Sequence, residues 1–305
     1  MAVDTTPKLK VRQSLLAKIE TTTGTAEALV ADDGDYNIYN VRHSYDIQLQ
    51  ERPGQAGYGK LETITGTRFG AIEFECDLSG SGTTGPPPWA SVFLPACGFN
   101  VSSGIFTAGY NASQPTITIG DYVDGVKFAL AGCAGTVRFP LVSGMPARAM
   151  FRFIGKLVVD ADVALVTPTA ITVLPPRFAG NTLLVAGAYT PYINSLEIDV
   201  NNTLEIRPFQ GDTTGGRACI ITDRKPLISM DPELQLVATR DWLGILLAHT
   251  KEAFSCAIGT VANNILTFTS SSAQWTEVPL GERNGLVSRD VKGHFCSDDL
   301  VATFT

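Results

Sequence analysis

One stretch of this chain occurs twice, and that repetition limits the possible folds more than anything else in the sequence. Residues 49–68 read LQERPGQAGYGKLETITGTR, and residues 204–225 read LEIRPFQGDTTGGRACIITDRK. With two gaps, Leu49 pairs with Leu204, Arg52 with Arg207, Pro53 with Pro208, and Gln55 with Gln210. Gly59 then pairs with Gly215, Ile64 with Ile221 and Thr65 with Thr222. The segments after each copy also repeat in order. Residues 72–78 alternate, with Glu73, Glu75 and Asp77 on one face, and residues 230–236 place Asp231, Glu233 and Gln235 at the matching positions. Trp89 opens the apolar run WASVFL, and Trp242 opens WLGILL. A strand pattern comes after each, TITI from Thr116 and ILTFT from Ile265, and both copies close on a turn glycine and a further strand. Ordered self-similarity at this spacing points to a duplicated domain rather than a short-period solenoid or two unrelated β-rich segments. The layout it implies is a first domain over 1–165, a linker over 166–182 and a second, trimmed domain over 183–305.

Within that layout the chain reads as mainly β. Residues 36–51 alternate, with Val41, Tyr45, Ile47 and Leu49 on the expected inner face. Residues 52–60 (RPGQAGYGK) carry three glycines and a proline between two strands, the composition of a long hairpin loop. Residues 80–88 (GSGTTGPPP) end in prolines that suit a helix start, so residues 89–96 form the first helix candidate, stopped at Gly98. Asp241 is positioned to cap the second helix, from Trp242. Residues 14–20 suit either a strand or a helical turn. Strands are expected over 116–120, 127–130, 135–142 and 148–159. Residues 166–180 hold three prolines without periodicity, which makes them the connection. Residues 1–13 form a polar arm that orders against a neighbour.

Composition narrows the function. The formal charge is −7, made of 13 basic and 15 acidic residues over 1–160 and 10 basic and 15 acidic over 161–305. Neither half has the basic footprint of a nucleic-acid grip. At 44% apolar and 17% charged residues the chain has the balance of a soluble β protein. It shows no signal-peptide core and no apolar run long enough to span a membrane, so it is expected to be made and kept in cytoplasm, with no membrane partner. Six cysteines fall singly, and in such a chain they are expected as buried free thiols.

No catalytic or metal site is expected, and no cofactor. His43, His249 and His294 have no ligand spacing with the cysteines. Residues 211–217 (GDTTGGR) lack the Lys-Ser/Thr ending of a phosphate loop. Acids at every second strand position point one way, whereas glycosidase carboxylates face each other across a substrate.

Residues 17–29 (AKIETTTGTAEAL), 64–82 (ITGTRFGAIEFECDLSGSG) and 89–99 (WASVFLPACGF) together resemble the tail tube proteins of long-tailed bacteriophages. Weaker relatives of the same signatures recur as ITDRKPLISMDPEL from Ile221 and GERNGLVSRDV from Gly281. The resemblance spans most of the chain. It implies two tandem β-sandwich or barrel domains, each with one short flanking helix, in a structural virion protein rather than an enzyme. Such subunits form rings that stack into a hollow tube conducting DNA. The implied partners are further copies of the chain, the tape measure protein and passing double-stranded DNA in the lumen, and the tail terminator and distal tail protein at the tube ends. Assembly would take place in the host cytoplasm.

On this reading Glu73, Glu75, Asp77, Asp231 and Glu233 face the channel and repel DNA. Thr5, Lys8 and Lys10 in the arm, Arg52, Pro53, Gln55, Tyr58 and Lys60 in the first hairpin, and Arg207, Gln210, Asp212 and Arg217 in the second would reach neighbouring subunits or rings. Where related tubes use six single-domain subunits, a duplicated chain needs three, giving a trimeric ring with pseudo-sixfold symmetry. The competing readings are a distal tail or adaptor protein of the same fold and a two-domain glycan-binding module.

Overall fold

A computed structural model describes residues 7–54 and 57–305. Its first half runs β1 (Gln13–Ile19), β2 (Ile38–Arg52), β3 (Leu61–Asp77), α1 (Pro88–Ala96), β4 (Phe99–Ser102), β5 (Ile105–Ala108), β6 (Ile117–Val123), β7 (Val126–Val142) and β8 (Arg148–Asp162). The second half opens with β9 (Thr182–Val185), β10 (Ser195–Asp199), β11 (Asn202–Pro208), β12 (Gly216–Arg224), β13 (Leu227–Met230) and α2 (Trp242–Leu247). It closes with β14 (Lys251–Ile258), β15 (Leu266–Glu277), β16 (Leu280–Arg283), β17 (Leu286–Arg289), β18 (Val291–Phe295) and β19 (Val301–Phe304). Strands hold 53% of the residues and helices 6%, so the expected mainly β class holds.

The pairing repeats strand for strand. In the first half β1 lies on β6, β6 on β7, β7 on β8, β8 on β3 and β3 on β2, all antiparallel. In the second half β9 lies on β14, β14 on β15, β15 on β18, β18 on β13 and β13 on β10. The hairpin that is continuous as β2/β3 is broken in the second half into β10/β13 at its base and β11/β12 at its arm. The two halves are also joined edge to edge, since β10 pairs with β7 and β19 pairs with β5. The result is one open sheet of 15 strands that passes through both halves, with no closed barrel. Its central path reads β2-β3-β8-β7 and then β10-β13-β18-β15, the same order twice.

Residues 127–130 and 135–142, expected as separate strands, are one strand, β7, that bends between them. The register slips between Ala131 and Ala134, and Gly132 has φ +63 at the bend. This lets β7 serve two layers, its start pairing with β6 and its end with β10. The core between the layers is aromatic. Phe74, Phe93, Phe151 and Phe153 form a cluster with ring centroids 5.1–6.0 Å apart. α1 closes it, because Pro88 presets the first turn, Trp89 is fully buried and its Nε1 donates to the Ser79 carbonyl at 2.9 Å. Trp89 also meets Phe304 of β19 edge-on at 5.5 Å, so the core is continuous between the halves. α2 begins as expected, with Asp241 accepting from the Gly244 amide at 2.8 Å.

Residues 14–20 resolve as the strand β1 followed by Glu20, a buried carboxylate. It accepts from the hydroxyls of Thr116 and Thr118 at 2.6 and 2.8 Å and from the amides of Gly24 and Gly132 at 2.7 and 2.6 Å. Four donors offset the cost of burying this charge and fix the TTTGT turn against the bend of β7. Residues 163–181 hold no strand or helix and cross the first half pinned by side chains. Ser14 donates to the Val166 carbonyl at 2.6 Å and Asn37 to the Ile171 carbonyl at 3.1 Å.

Two expectations fail here. Val41 is buried, but Tyr45, Ile47 and Leu49 are 47%, 42% and 63% exposed, because Tyr45 lies at the rim with its hydroxyl on Asp160 and the hairpin leaves β8 once past the Asp46–Phe69 pair. The alternation over 230–236 is not a strand either. β13 ends at Met230, and its register sets Met230 opposite Leu196 where Cys76 stands opposite Ile38. Asp231 therefore matches Asp77, four residues from the pairing with Glu73 that sequence alone suggests. Of the six cysteines, all free, five are buried and Cys296 is half-buried.

Candidate assembly surfaces

The face of β3 and β8 that points away from the core is charged, and the three acids of β3 are paired. Glu73, Glu75 and Asp77 do line one side of β3, but β8 sets Arg152 and Arg148 beside them. Arg148 reaches both Glu75 (3.3 Å) and Asp77 (3.2 Å), while Tyr39 donates its hydroxyl to Asp77 at 2.9 Å. Arg152 pairs with Glu73 at 3.2 Å, both side chains about half exposed. The second half repeats the device with different residues. Arg283 of β16 holds Asp231 and Glu233, each at 2.8 Å, and Asp231 also accepts from the amides of Asn194 and Ser195. In each half one arginine forks between two acids two residues apart. A depression of about 470 Å³ lies on this face, lined by Arg42, Glu73, Glu75, Arg138, Arg152 and Asp199. Sequence reasoning finds the acids and misses the arginines, which come from strands distant in the chain.

The two hairpin arms differ in what they touch. Arg52, Pro53, Tyr58 and Lys60 at the first tip are exposed, with Lys60 paired to Glu51. Ile47 and Leu49 on one face of the arm, and Leu61 and Ile64 on the other, are exposed apolar side chains, while the Tyr45 hydroxyl donates to Asp160 at 3.2 Å. The second arm folds onto the first half. Arg68 donates from its amide to the Thr214 carbonyl at 3.1 Å and from its guanidinium to the Thr213 carbonyl at 2.5 Å. β12 lies so close to β7 that a Cβ on Gly132 would meet the Ala218 backbone at 2.9 Å. At its base Asn202, buried, donates to the carbonyls of Cys97 and Gly135 at 2.8 Å each, and Arg224 donates to the Gly98 carbonyl at 2.8 Å. Asp212, expected to reach another subunit, reaches the other half of its own chain, pairing with Lys156 at 2.6 Å. Arg207, Gln210 and Arg217 stay exposed.

Burial pushes the Asp212 carboxyl up. The ammonium of Lys156 and the hydroxyl and amide of Thr214 outweigh that and bring it down to about 2. A carboxyl held below its unfolded value stabilises the fold fully above roughly pH 4, and that contribution is lost as pH falls from there through 2. Asp212→Asn should therefore lower stability at neutral pH. Urea denaturation at stepped pH should show wild type and variant converging between pH 4 and pH 2.

Of the arm, Lys8 and Lys10 are exposed, and the Leu9 amide donates to Asp124 at 2.9 Å. Arg12 pairs with the same carboxylate at 2.7 Å. Thr5 and Gln55, also expected at interfaces, lie outside the described residues. Among the described residues no group of His, Cys, Asp and Glu could hold a metal ion. His43 sits 3.2 Å from Asp121, stacked on Phe128 at 4.5 Å, and Gln13 donates to both oxygens of that carboxylate. This is a packed polar pair joining β1, β2 and β6. No helix among the described residues is long and apolar enough to cross a membrane.

In comparison with known families, the family model described as phage tail tube protein matches residues 11–298, nearly the whole chain. No curated protein matches.

Proposed function

We propose, on the premise that this chain belongs to the phage tail tube protein family, that it is the repeating subunit of the tube wall. Three copies would close each ring, and rings would stack into a channel for double-stranded DNA. The observation that carries this reading is the edge-to-edge joining of two like halves in one sheet, with the strand order repeated. Each half offers one edge and accepts another, so the contact is head-to-tail, and head-to-tail contacts close into rings when the rotation divides a full turn. Six halves need three chains, and fusion makes alternate contacts intramolecular at high effective concentration. The halves would then be two domains side by side within one ring.

The charged face of the sheet is the proposed channel wall, with Glu73 and Glu75 on it, Asp77 buried beside Arg148, and Asp231 and Glu233 continuing it from the segment after β13. Its action on DNA comes from the forks more than from bare acid. Arginines already paired to carboxylates have little to offer phosphates, so counterion release and tight binding are small. The residual acidity repels only over about a Debye length, ~8–10 Å. Such a wall lets DNA, and before it the tape measure protein, slide. The tail terminator and the distal tail protein would meet the two ends, in a virion tail assembled in the host cytoplasm.

Electron microscopy of negatively stained protein tests the reading. Uniform hollow cylinders are expected. Single rings that never stack would instead assign an adaptor, and monomers that bind glycan would remove the tube. Deleting residues 2–10 should leave folded protein that polymerises poorly, as read by sedimentation. Full-length tubes from that truncation would show that the arm is dispensable.

A further inference from the structure

We infer that the open edge of β2 in one copy pairs, antiparallel, with residues 277–281 of a second copy, in the register that the chain already uses between β7 and β10. The tube reading supplies only the expected number of copies.

The template is inside the molecule. β10 and β7 pair Ser195 with Val142, Leu196 with Leu141, Glu197 with Pro140, Ile198 with Phe139 and Asp199 with Arg138. Flanking bonds from the Ser143 amide to Asn194 and from the Val200 amide to Val137 make the even-numbered positions of β10 the hydrogen-bonded ones. Pro140 therefore falls at a non-hydrogen-bonded position, where its missing N–H costs nothing. Phe139 crosses the joint to pack on Phe268 of the second half at 4.7 Å.

Both partners have counterparts whose edges are open. β2 occupies in the first half the place of β10 in the second, pairing with β3 as β10 pairs with β13, and it ends the central path of the sheet. β15 occupies the place of β7. Gly135, Thr136 and Val137 face Phe153, Arg152 and Phe151 of β8, as Ala273, Gln274 and Trp275 face Phe295, His294 and Gly293 of β18. Arg138 then corresponds to Glu277, and the sequence agrees, since RFPLV over 138–142 is answered by EVPLG over 277–281. Leu141 is 1% exposed, whereas Leu280 is 65% exposed. Leu141 stands opposite Leu196 of β10, whereas Leu280 has only Arg289 of β17 opposite it, on its other side.

The transferred register sets Ile38 opposite Leu280, Tyr39 opposite Pro279 and Arg42, beyond the bulge in β2, opposite Glu277. Proline again falls at a non-hydrogen-bonded position. Arg42 and Glu277 carry opposite charges, as Asp199 and Arg138 do in the template with signs reversed, and Glu277 also pairs with Lys292 of its own chain at 2.8 Å. A groove of about 380 Å³ runs beside the free edge of β2, between it and β1, lined by Gln13, Leu15, Tyr36, Ile38, Val41 and Val166. By the same correspondence the first hairpin of one copy would lie against the second half of the next, as β11/β12 lies against the first half within the chain.

Cysteine cross-linking tests the register. Arg42→Cys with Glu277→Cys places the thiols at a non-hydrogen-bonded pair, and both side chains are exposed, so the fold is left alone. Within one chain β2 and β15 are seven strand steps apart along the sheet, and a bond between copies reads as a dimer or trimer on a non-reducing gel whereas one within a chain would leave a monomer. The control, Asp46→Cys with Glu277→Cys, is about 13 Å out of register. Mild oxidation should give linked species at least about tenfold above the control and above wild type, given the narrow geometry of a disulfide. The ladder should end at three chains. Tubes that form with no more linkage than the control would overturn the edge contact and leave the tube standing. In-register linkage without any tube would uphold the contact and remove the tube. Unlinked monomers would overturn both.

Discussion

Glu252→Ala should cost about 3–5 kcal/mol of folding stability, the range for a buried ion pair that loses one member. Arg240 and Glu252 are each less than 10% exposed. The guanidinium donates through Nη1 to Oε1 at 2.9 Å and through Nη2 to Oε2. The Trp275 indole N–H donates to the same Oε2 at 2.7 Å, and the guanidinium lies 4.2 Å from the Trp242 ring. Alanine would strand a cation beside the rings of Trp242 and Tyr189 and leave the Trp275 indole N–H without an acceptor. Arg240 Nε and the hydroxyl of the neighbouring Tyr189 are already buried without partners, so the substitution would add further unmet donors to a site that holds two polar groups unpaired.

Thermal unfolding of unpolymerised protein should fall by about 10 °C, taking a few degrees per kcal/mol for a chain of this size. The double variant Arg240→Met with Glu252→Gln removes both charges and keeps an amide oxygen for Trp275. It should recover to within about 1 kcal/mol of wild type, because burying the pair is itself costly. A loss below about 1 kcal/mol for Glu252→Ala alone would mean that water reaches the pair and screens it. The pair anchors α2 and β14 to β15, so its loss would act first on the second half.

Much of this architecture can be read from residue order, and the failures share a cause. The hairpins, both helices, the Asp241 cap and the irregular stretch after β8 come from local turn and capping chemistry, which sequence carries directly. Tyr45, Ile47 and Leu49 mislead because alternation reports which side of a strand is apolar and not whether the chain itself supplies the cover. The acids are visible as a stripe, but Arg148 and Arg283 reach them from other strands, and that proximity exists only once the sheet forms. The match of Asp231 to Asp77 is hidden by the break of one long hairpin into β10/β13 and β11/β12. One signal for the joint does lie in the sequence. PL at 140–141 and again at 279–280 marks the same place in both halves, too short to notice before the strands on either side are aligned.

That dipeptide gives an experiment in which one substitution at two equivalent positions should have opposite consequences. Leu141→Asp puts a carboxylate among the packed residues of the β7–β10 joint, where Leu141 and Leu196 are buried in the core cluster. An unpaired buried charge costs several kcal/mol at least, so this variant should fail to fold or be recovered only as aggregate. Leu280→Asp puts the same carboxylate on a side chain 65% exposed in the single chain. Surface substitutions of that kind stay within about 0.5 kcal/mol, so the chain should keep its far-ultraviolet circular dichroism and its melting temperature. Its assembly should be weakened strongly, because in a ring that carboxylate would be buried beside Ile38 of the neighbour, with only Arg289, opposite it on β17 and already donating to the Val278 carbonyl, to meet it. Sedimentation at increasing concentration would show monomer where wild type polymerises. Leu280→Met, which keeps volume and apolarity, should assemble as wild type does. If Leu280→Asp builds tubes of normal length, the exposed leucine faces solvent in the assembly, and the second half does not repeat outside the chain the contact that the first half makes within it.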